Sequence, residues 1–169
     1  MRDTLTIDRP EQLKALGHPL RLRVLEELGA KTESLTNREL AQRLGVDPGH
    51  LHFHVRMLQK AGLIELADGG QRREKPYRSA AKAIRVAPEL TSAGLSGGLH
   101  AAMLDEVQRG FTKFAEQGRF RGAQVTVSLP LDKARELLRE FNANLDEAED
   151  ESEETLVFTT FFHPPSSID

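Results

Sequence analysis

Apolar residues recur at helical spacing through most of the first sixty positions, and the breaks in that rhythm fall on turn-forming residues. Leu13, Leu16, Leu20, Val24, Leu25 and Leu28 predict two helices, Pro10 to Gly17 and Leu20 to Leu28, parted by His18-Pro19. Leu40 and Leu44 mark the inner face of a shorter helix over Leu35 to Gly45, opened by a Thr36/Glu39 capping box and closed by Gly45. Leu51, Val55 and Leu58, at i, i+4 and i+7, mark the buried stripe of a further helix between Asp47 and Gly62. Asp47 suits its N-cap, Pro48 its first turn, and Gly62 the left-handed residue that ends it. The pattern then shortens. Leu63 to Ala67 and Glu74 to Ala80 predict two strands around the turn Asp68 to Arg73, a β-hairpin with basic residues near its tip.

At about 100° per residue, the side of the 47–61 helix opposite its apolar stripe carries Gly49, Phe53, Arg56 and Lys60. His50, His52 and Met57 flank this face, and His54 lies nearer the buried edge. Few solvated helices expose Phe beside Arg and His, so this face is expected to touch something. Two helices joined through Gly45-Val46-Asp47 and followed by a hairpin have the grammar of a winged helix-turn-helix.

Three runs carry a family likeness: LKALGHPLRLRVLEEL (Leu13 to Leu28), LTNRELAQRLGVDPGHLHFHVRMLQKAGLI (Leu35 to Ile64) and KPYR (Lys75 to Arg78). In order and spacing the chain resembles the ArsR-type winged-helix transcriptional regulators, and the resemblance covers about half of it. Its marks are Ala15-Leu16-Gly17-His18-Pro19-Leu20-Arg21, then His54-Val55 with Leu58 and Ala61-Gly62-Leu63-Ile64, then Tyr77-Arg78 closing the wing. The resemblance implies a DNA-binding regulator.

Beyond the hairpin the periodicity lapses. VAPELTSAGLSGG, residues 86–98, reads as a linker, which makes residues 1–85 the winged helix-turn-helix domain. Leu99, Met103, Val107, Phe111 and Phe114 then mark a long amphipathic helix to about Gln117, suited to pairing two copies. Gln124 to Leu129 alternates in strand period, Leu131 to Asn144 returns to helix with Ala134, Leu138, Phe141 and Leu145 inward, and Thr155 to Phe162 reads as another strand. Neighbouring strands with so long a crossover would run parallel. The expected fold class is therefore α+β, with residues 99–169 a small C-terminal domain for dimerisation or effector binding, ending in a short flexible tail. Phe111, Phe114, Phe141, Phe158 and Phe161 are the candidate lining of an apolar pocket, although stripes at these spacings also describe an ordinary core.

Charge sharpens the picture. The net charge of −3 divides into +5 over residues 1–85, with 16 Lys/Arg against 11 Asp/Glu, and −8 over residues 86–169, with 7 against 15. Positive charge thus sits in the half that would meet phosphate, and the acidic half is expected to face away. Arg56 is the foremost candidate to pair with guanine, Phe53 to pack on a thymine methyl, and His50 and His52 to donate to bases or phosphates. Thr36, Asn37 and Arg38 are placed to hold the backbone, and Arg72, Arg73 and Lys75 to grip a flanking phosphate or the minor groove. Arg21 and Arg23 are further phosphate candidates, with ordinary solvated arginines as the alternative.

Other chemistries find less support. The chain has no cysteine, which removes thiolate catalysis, thiolate metal sites and disulfides. His50 and His54 share a helix face, but His52 points about 160° away, so the three histidines cannot converge on one metal. His100, Asp105 and Glu106 do not form the ligand pattern of the metal-sensing relatives. No nucleophile elbow, P-loop, zincin or dinucleotide fingerprint occurs, and the acidic run Asp146 to Glu154 reads as a solvated segment. No enzyme activity, cofactor or membrane span is expected, and without a signal-peptide pattern the cytoplasm is the expected compartment. The expectation is a homodimeric repressor on double-stranded operator DNA. Two alternatives stay open: a winged-helix protein-interaction module with an acidic docking domain, and a sensor gated by a small-molecule effector in the apolar C-terminal pocket.

Overall fold

The computed structural model describes residues 2–29, 34–68, 75–87, 89–90, 94–150, 152–154 and 156–164. The elements run β1 (Arg2–Ile7), α1 (Pro10–Leu16), α2 (Pro19–Gly29), α3 (Asn37–Leu44), α4 (Pro48–Lys60), β2 (Ile64–Leu66), β3 (Tyr77–Ser79), β4 (Ala81–Val86), α5 (Gly97–Phe114) and α6 (Leu131–Ala148). Two compact units, Met1–Gly110 and Phe111–Asp169, divide the chain within α5.

The core of the first unit is built from the stripes that the periodicity marks. Leu13 and Leu16 of α1, Leu20, Val24 and Leu28 of α2, Leu40 and Leu44 of α3, and Leu51, Val55 and Leu58 of α4 are all buried in one cluster with Leu63 and Ile64. Each side chain of this size contributes about 1.5–3 kcal/mol on full burial, so α4 is held chiefly by its inner stripe. Leu63 begins the hairpin, in which Ile64 pairs with Ser79, Glu65 with Arg78 and Leu66 with Tyr77. Glu65 and Arg78 also join through their side chains at 2.7 Å, an opposite-charge pair directly across the strands. Leu35 adds a bridge to Tyr77, with backbone bonds of 2.9 and 2.8 Å. The hairpin tip expected at Asp68 to Arg73 lies outside the described residues from 69 to 74, and Arg72 and Arg73 with it.

One pairing was not expected. β1 runs parallel to β4, Leu5 opposite Ile84 and Ile7 opposite Val86, so the whole helix-turn-helix and hairpin form the crossover between two parallel strands. Leu5 and Ile7 are buried while Thr4 and Thr6 face out. The segment expected as a linker begins with the end of β4 and then contributes buried Ala87, Leu90 and Ser96. α5 approaches the α1–α2 junction through two glycines: a Cβ on Gly17 would stand 3.3 Å from the Gly98 carbonyl carbon. Leu99 packs partly against the core and Ala102 is buried.

The second unit corrects the expectation for the C-terminal part. Gln124 to Leu129 forms no strand, nor do residues 156–162, and Thr155 lies outside the described residues. The expected helix, strand, helix, strand succession is observed, among the described residues, as helix and chain without regular secondary structure. Alternation encodes a strand only where a partner supplies hydrogen bonds and something covers the apolar side. Val125 is 77% exposed and Val127 63%. Phe111 meets Phe120 edge-on and Phe141 meets Phe158 likewise. No helix among the described residues is long and apolar enough to cross a membrane.

Candidate nucleic-acid interface

α4 is fixed at both ends before its outer face comes into play. The Asp47 carboxylate accepts from the His50 N–H at 2.9 Å, and Pro48 opens the helix where no N–H is required. Gly49 lies against that cap: a Cβ there would meet Asp47 Oδ1 at 3.1 Å. At the far end Gly62 takes φ +74°, its N–H donates to the Gln59 carbonyl and the Leu63 N–H to the Leu58 carbonyl, both at 3.0 Å. These are the two bonds of a Schellman turn, closed by the apolar pair Leu58 and Leu63. α3 is punctuated alike, by the Thr36–Glu39 capping box and by Gly45 at φ +65°. The two Thr36 hydrogen bonds hold the Glu39 carboxyl below its ordinary pKa.

The outward face is the one the sequence marks. His50, His52, Phe53, Arg56 and Lys60 are exposed with Gly49, and Phe53 is 63% exposed. Thr36 and Asn37 are half-buried and Arg38 is exposed at the start of α3, while Lys75 is exposed at the base of the wing. Asn37 has a task within the protein, since its amide donates to the Pro48 carbonyl at 2.8 Å and ties the start of α3 to the start of α4. Thr36 likewise spends its hydroxyl on the cap.

Two arginines read as phosphate candidates are engaged inside the fold instead. Arg21 is 6% exposed; its Nη2 donates to the Lys14 carbonyl at 3.0 Å, its Nε to the Ala15 carbonyl, and its Nη1 approaches Met57 Sδ at 3.6 Å. Burial lowers its pKa, yet the carbonyls at the end of α1 give the charge partners. Arg23 Nη2 donates to the Leu44 carbonyl at 3.1 Å and so caps α3. These side chains turn to helix ends because α1 and α3 end beside α2. Gln12 acts similarly, its amide donating to the Ala61 carbonyl behind α4 at 3.2 Å.

Behind the face lies a group the sequence did not assemble. His54 is 4% exposed, its ring centroid 4.4 Å from that of His18 and 5.0 Å from that of His50. Its Nδ1 is buried with no hydrogen-bond partner. Burial first, then His18, Arg21 and His50, push the His54 pKa down to about 4. His18 Nδ1 accepts from the Leu20 N–H at 3.1 Å and so caps α2. The position of His18 immediately before Pro19 was the available signal, because a side-chain acceptor before an N1 proline is the grammar of a cap. Among the described residues no group of three or more histidines and carboxylates is arranged to hold a metal ion.

The comparisons with known proteins point the same way for one stretch. Residues 16–67 match a family described as a helix-turn-helix domain. They form a helix-turn-helix. That stretch takes in α2, α3, α4 and β2, and so includes the outward face. No curated protein sequence matches the chain. Solved structures similar to it include reduced HlyU from Vibrio cholerae N16961, at 23% identity over 49% of this chain and 77% of that one, TM-score 0.37. M. tuberculosis Rv0081 is 24% identical over 62% and 90%, TM-score 0.36, and the transcriptional regulator PA3341 is 24% identical over 76% and 79%, TM-score 0.33. At these scores the likeness carries no argument.

Proposed function

We propose that this chain is a sequence-specific DNA-binding transcriptional regulator of the ArsR-like winged-helix kind, acting as a homodimeric repressor in the cytoplasm. The observation that carries the reading is the outer face of α4, where Phe53, Arg56 and Lys60 stand exposed with two histidines on a helix whose inner stripe is fully buried. Such a helix can enter the major groove while its seat stays rigid. Arg56 pairs with a base edge, Phe53 meets an apolar base surface, and Arg38 and Lys75, with Arg72 and Arg73 of the wing, bear on phosphates. Thr36 and Asn37 serve this face through the backbone they fix.

Exposed apolar side chains on α5 support the dimer. Leu104 and Phe111 stand seven residues apart on that helix and are 55% and 52% exposed, whereas Met103, Val107 and Phe114 are half-buried. Two copies that cover this face would bring two reading helices to a two-fold-related site.

Paired substitutions test the roles. Arg56→Ala should weaken binding to the protein's own upstream DNA by roughly 1–3 kcal/mol and leave random duplex almost unaffected. Lys75→Ala should weaken both about equally and reduce the salt dependence. Equal losses on both duplexes in both variants would refute the assignment.

A further inference from the structure

We propose that His18 and His54 form a proton sensor behind the reading helix, which loosens the seat of α4 and so weakens DNA binding as the medium acidifies. The proposal rests on the DNA-binding reading only for its second half; the first half concerns the fold alone.

The geometry requires neutral imidazoles. His54 is buried between the α1–α2 junction and its own helix, with His18 and His50 as ring neighbours and Phe53 edge-on at 5.6 Å. A protonated ring there would carry two N–H donors, and the buried Nδ1 has no acceptor to receive its proton. His18 is bound to neutrality for another reason. Its Nδ1 is the acceptor that caps α2, so a proton on that nitrogen removes the cap.

The charged surroundings are one-sided. Arg21 faces the pair from α2, and His50 faces both from α4; Asp105 on α5 favours a proton on His18 alone. Burial, Arg21 and His50 outweigh Asp105 and lower the His18 pKa as well. For a histidine whose folded pKa is depressed, the seat is intact above the unfolded value near 6.5 and is lost as pH falls towards about 4. By linkage, the opening equilibrium of the seat should rise about tenfold from pH 7.5 to 5.5 through His54 alone.

The sign separates this device from simple electrostatics. Added positive charge on any exposed face draws phosphate more strongly. A plain basic face therefore binds DNA more tightly in acid, whereas a loosened seat binds it more weakly.

The test uses the full chain, with His54→Met, which keeps apolar volume without a titrating group, and His18→Asn, which keeps a capping acceptor. Hydrogen exchange of the α4 amides, corrected for intrinsic rates and measured without DNA, should show protection falling about tenfold between pH 7.5 and 5.5 in the wild type and much less in His54→Met. Affinity for the upstream fragment at fixed ionic strength should fall in the wild type relative to His54→Met. If His54→Met does not fold, His18→Asn carries the comparison, with a smaller pH effect than wild type expected. Equal pH dependence of protection in wild type and variant overturns the sensor. Protection that falls as expected while affinity follows the variant overturns its control of binding. A pH-dependent seat in a chain that binds no DNA at pH 7.5 leaves the sensor standing and refutes the DNA-binding reading.

Discussion

Replacing Arg21 by methionine separates scaffold from phosphate contact. The guanidinium donates to the carbonyls of Lys14 and Ala15 and touches Met57 on α4. A hydrogen bond to a charged group contributes about 1.5–3 kcal/mol, so the two bonds give roughly 3–6 kcal/mol before costs. Against this stands the desolvation of a buried cation, whose direction shows in the lowered pKa of Arg21. Methionine keeps most of the apolar contact and removes that cost, but leaves the Ala15 carbonyl without the Arg21 donor and the Lys14 carbonyl with the Gly17 N–H alone. The net loss should be about 2 kcal/mol, which for a unit of this size lowers Tm by about 8 °C. Thermal and urea unfolding of both proteins measure it, and salt titration of DNA binding supplies the control. If Arg21→Met leaves Tm unchanged and instead reduces the salt slope by about 1, Arg21 is a phosphate contact and the inward geometry is wrong.

Two further expectations follow from the caps and the carboxylates. Asp47→Ala removes the acceptor of the His50 N–H and should cost about 1 kcal/mol of stability by urea unfolding, with Asp47→Asn restoring most of it. The Glu26 pKa is pushed up to about 7, by burial first and then by Glu106, against Arg109 and Arg23. A raised carboxyl pKa contributes stability that is complete below about 4.5 and lost as pH rises through about 7. Glu26→Gln should therefore match or trail the wild type at pH 5 and exceed it at pH 8 in urea midpoint; a constant difference between the two pH values would refute the shift.

The first unit was legible because each of its helices has a one-sided stripe and explicit ends. Leu51, Val55 and Leu58 could face only one way on a helix, and Asp47, Gly45 and Gly62 left little choice about where α3 and α4 stop. β1 was missed although Leu5 and Ile7 alternate with threonines, because its partner lies more than seventy residues away and periodicity carries no information about partners. The same gap works in reverse in the second unit. Val125 and Val127 have strand alternation, yet alternation does not supply the neighbouring edge, and the segment stays exposed and outside any sheet. On α4, exposure was readable from helical phase, and His50, Phe53, Arg56 and Lys60 are exposed. The inward turn of Arg21 and Arg23 was not, because it depends on which helix ends beside α2. The meeting of His18 with His54 likewise depends on how α1 and α2 cross α4.

The most direct measurement is binding of the purified chain to its own upstream DNA and to random duplex of equal length, each titrated across salt. The account predicts a steep salt dependence on both and a preference of about 10³-fold or more for the upstream fragment at physiological salt. Weak binding to both, with no preference at any salt concentration, would contradict it.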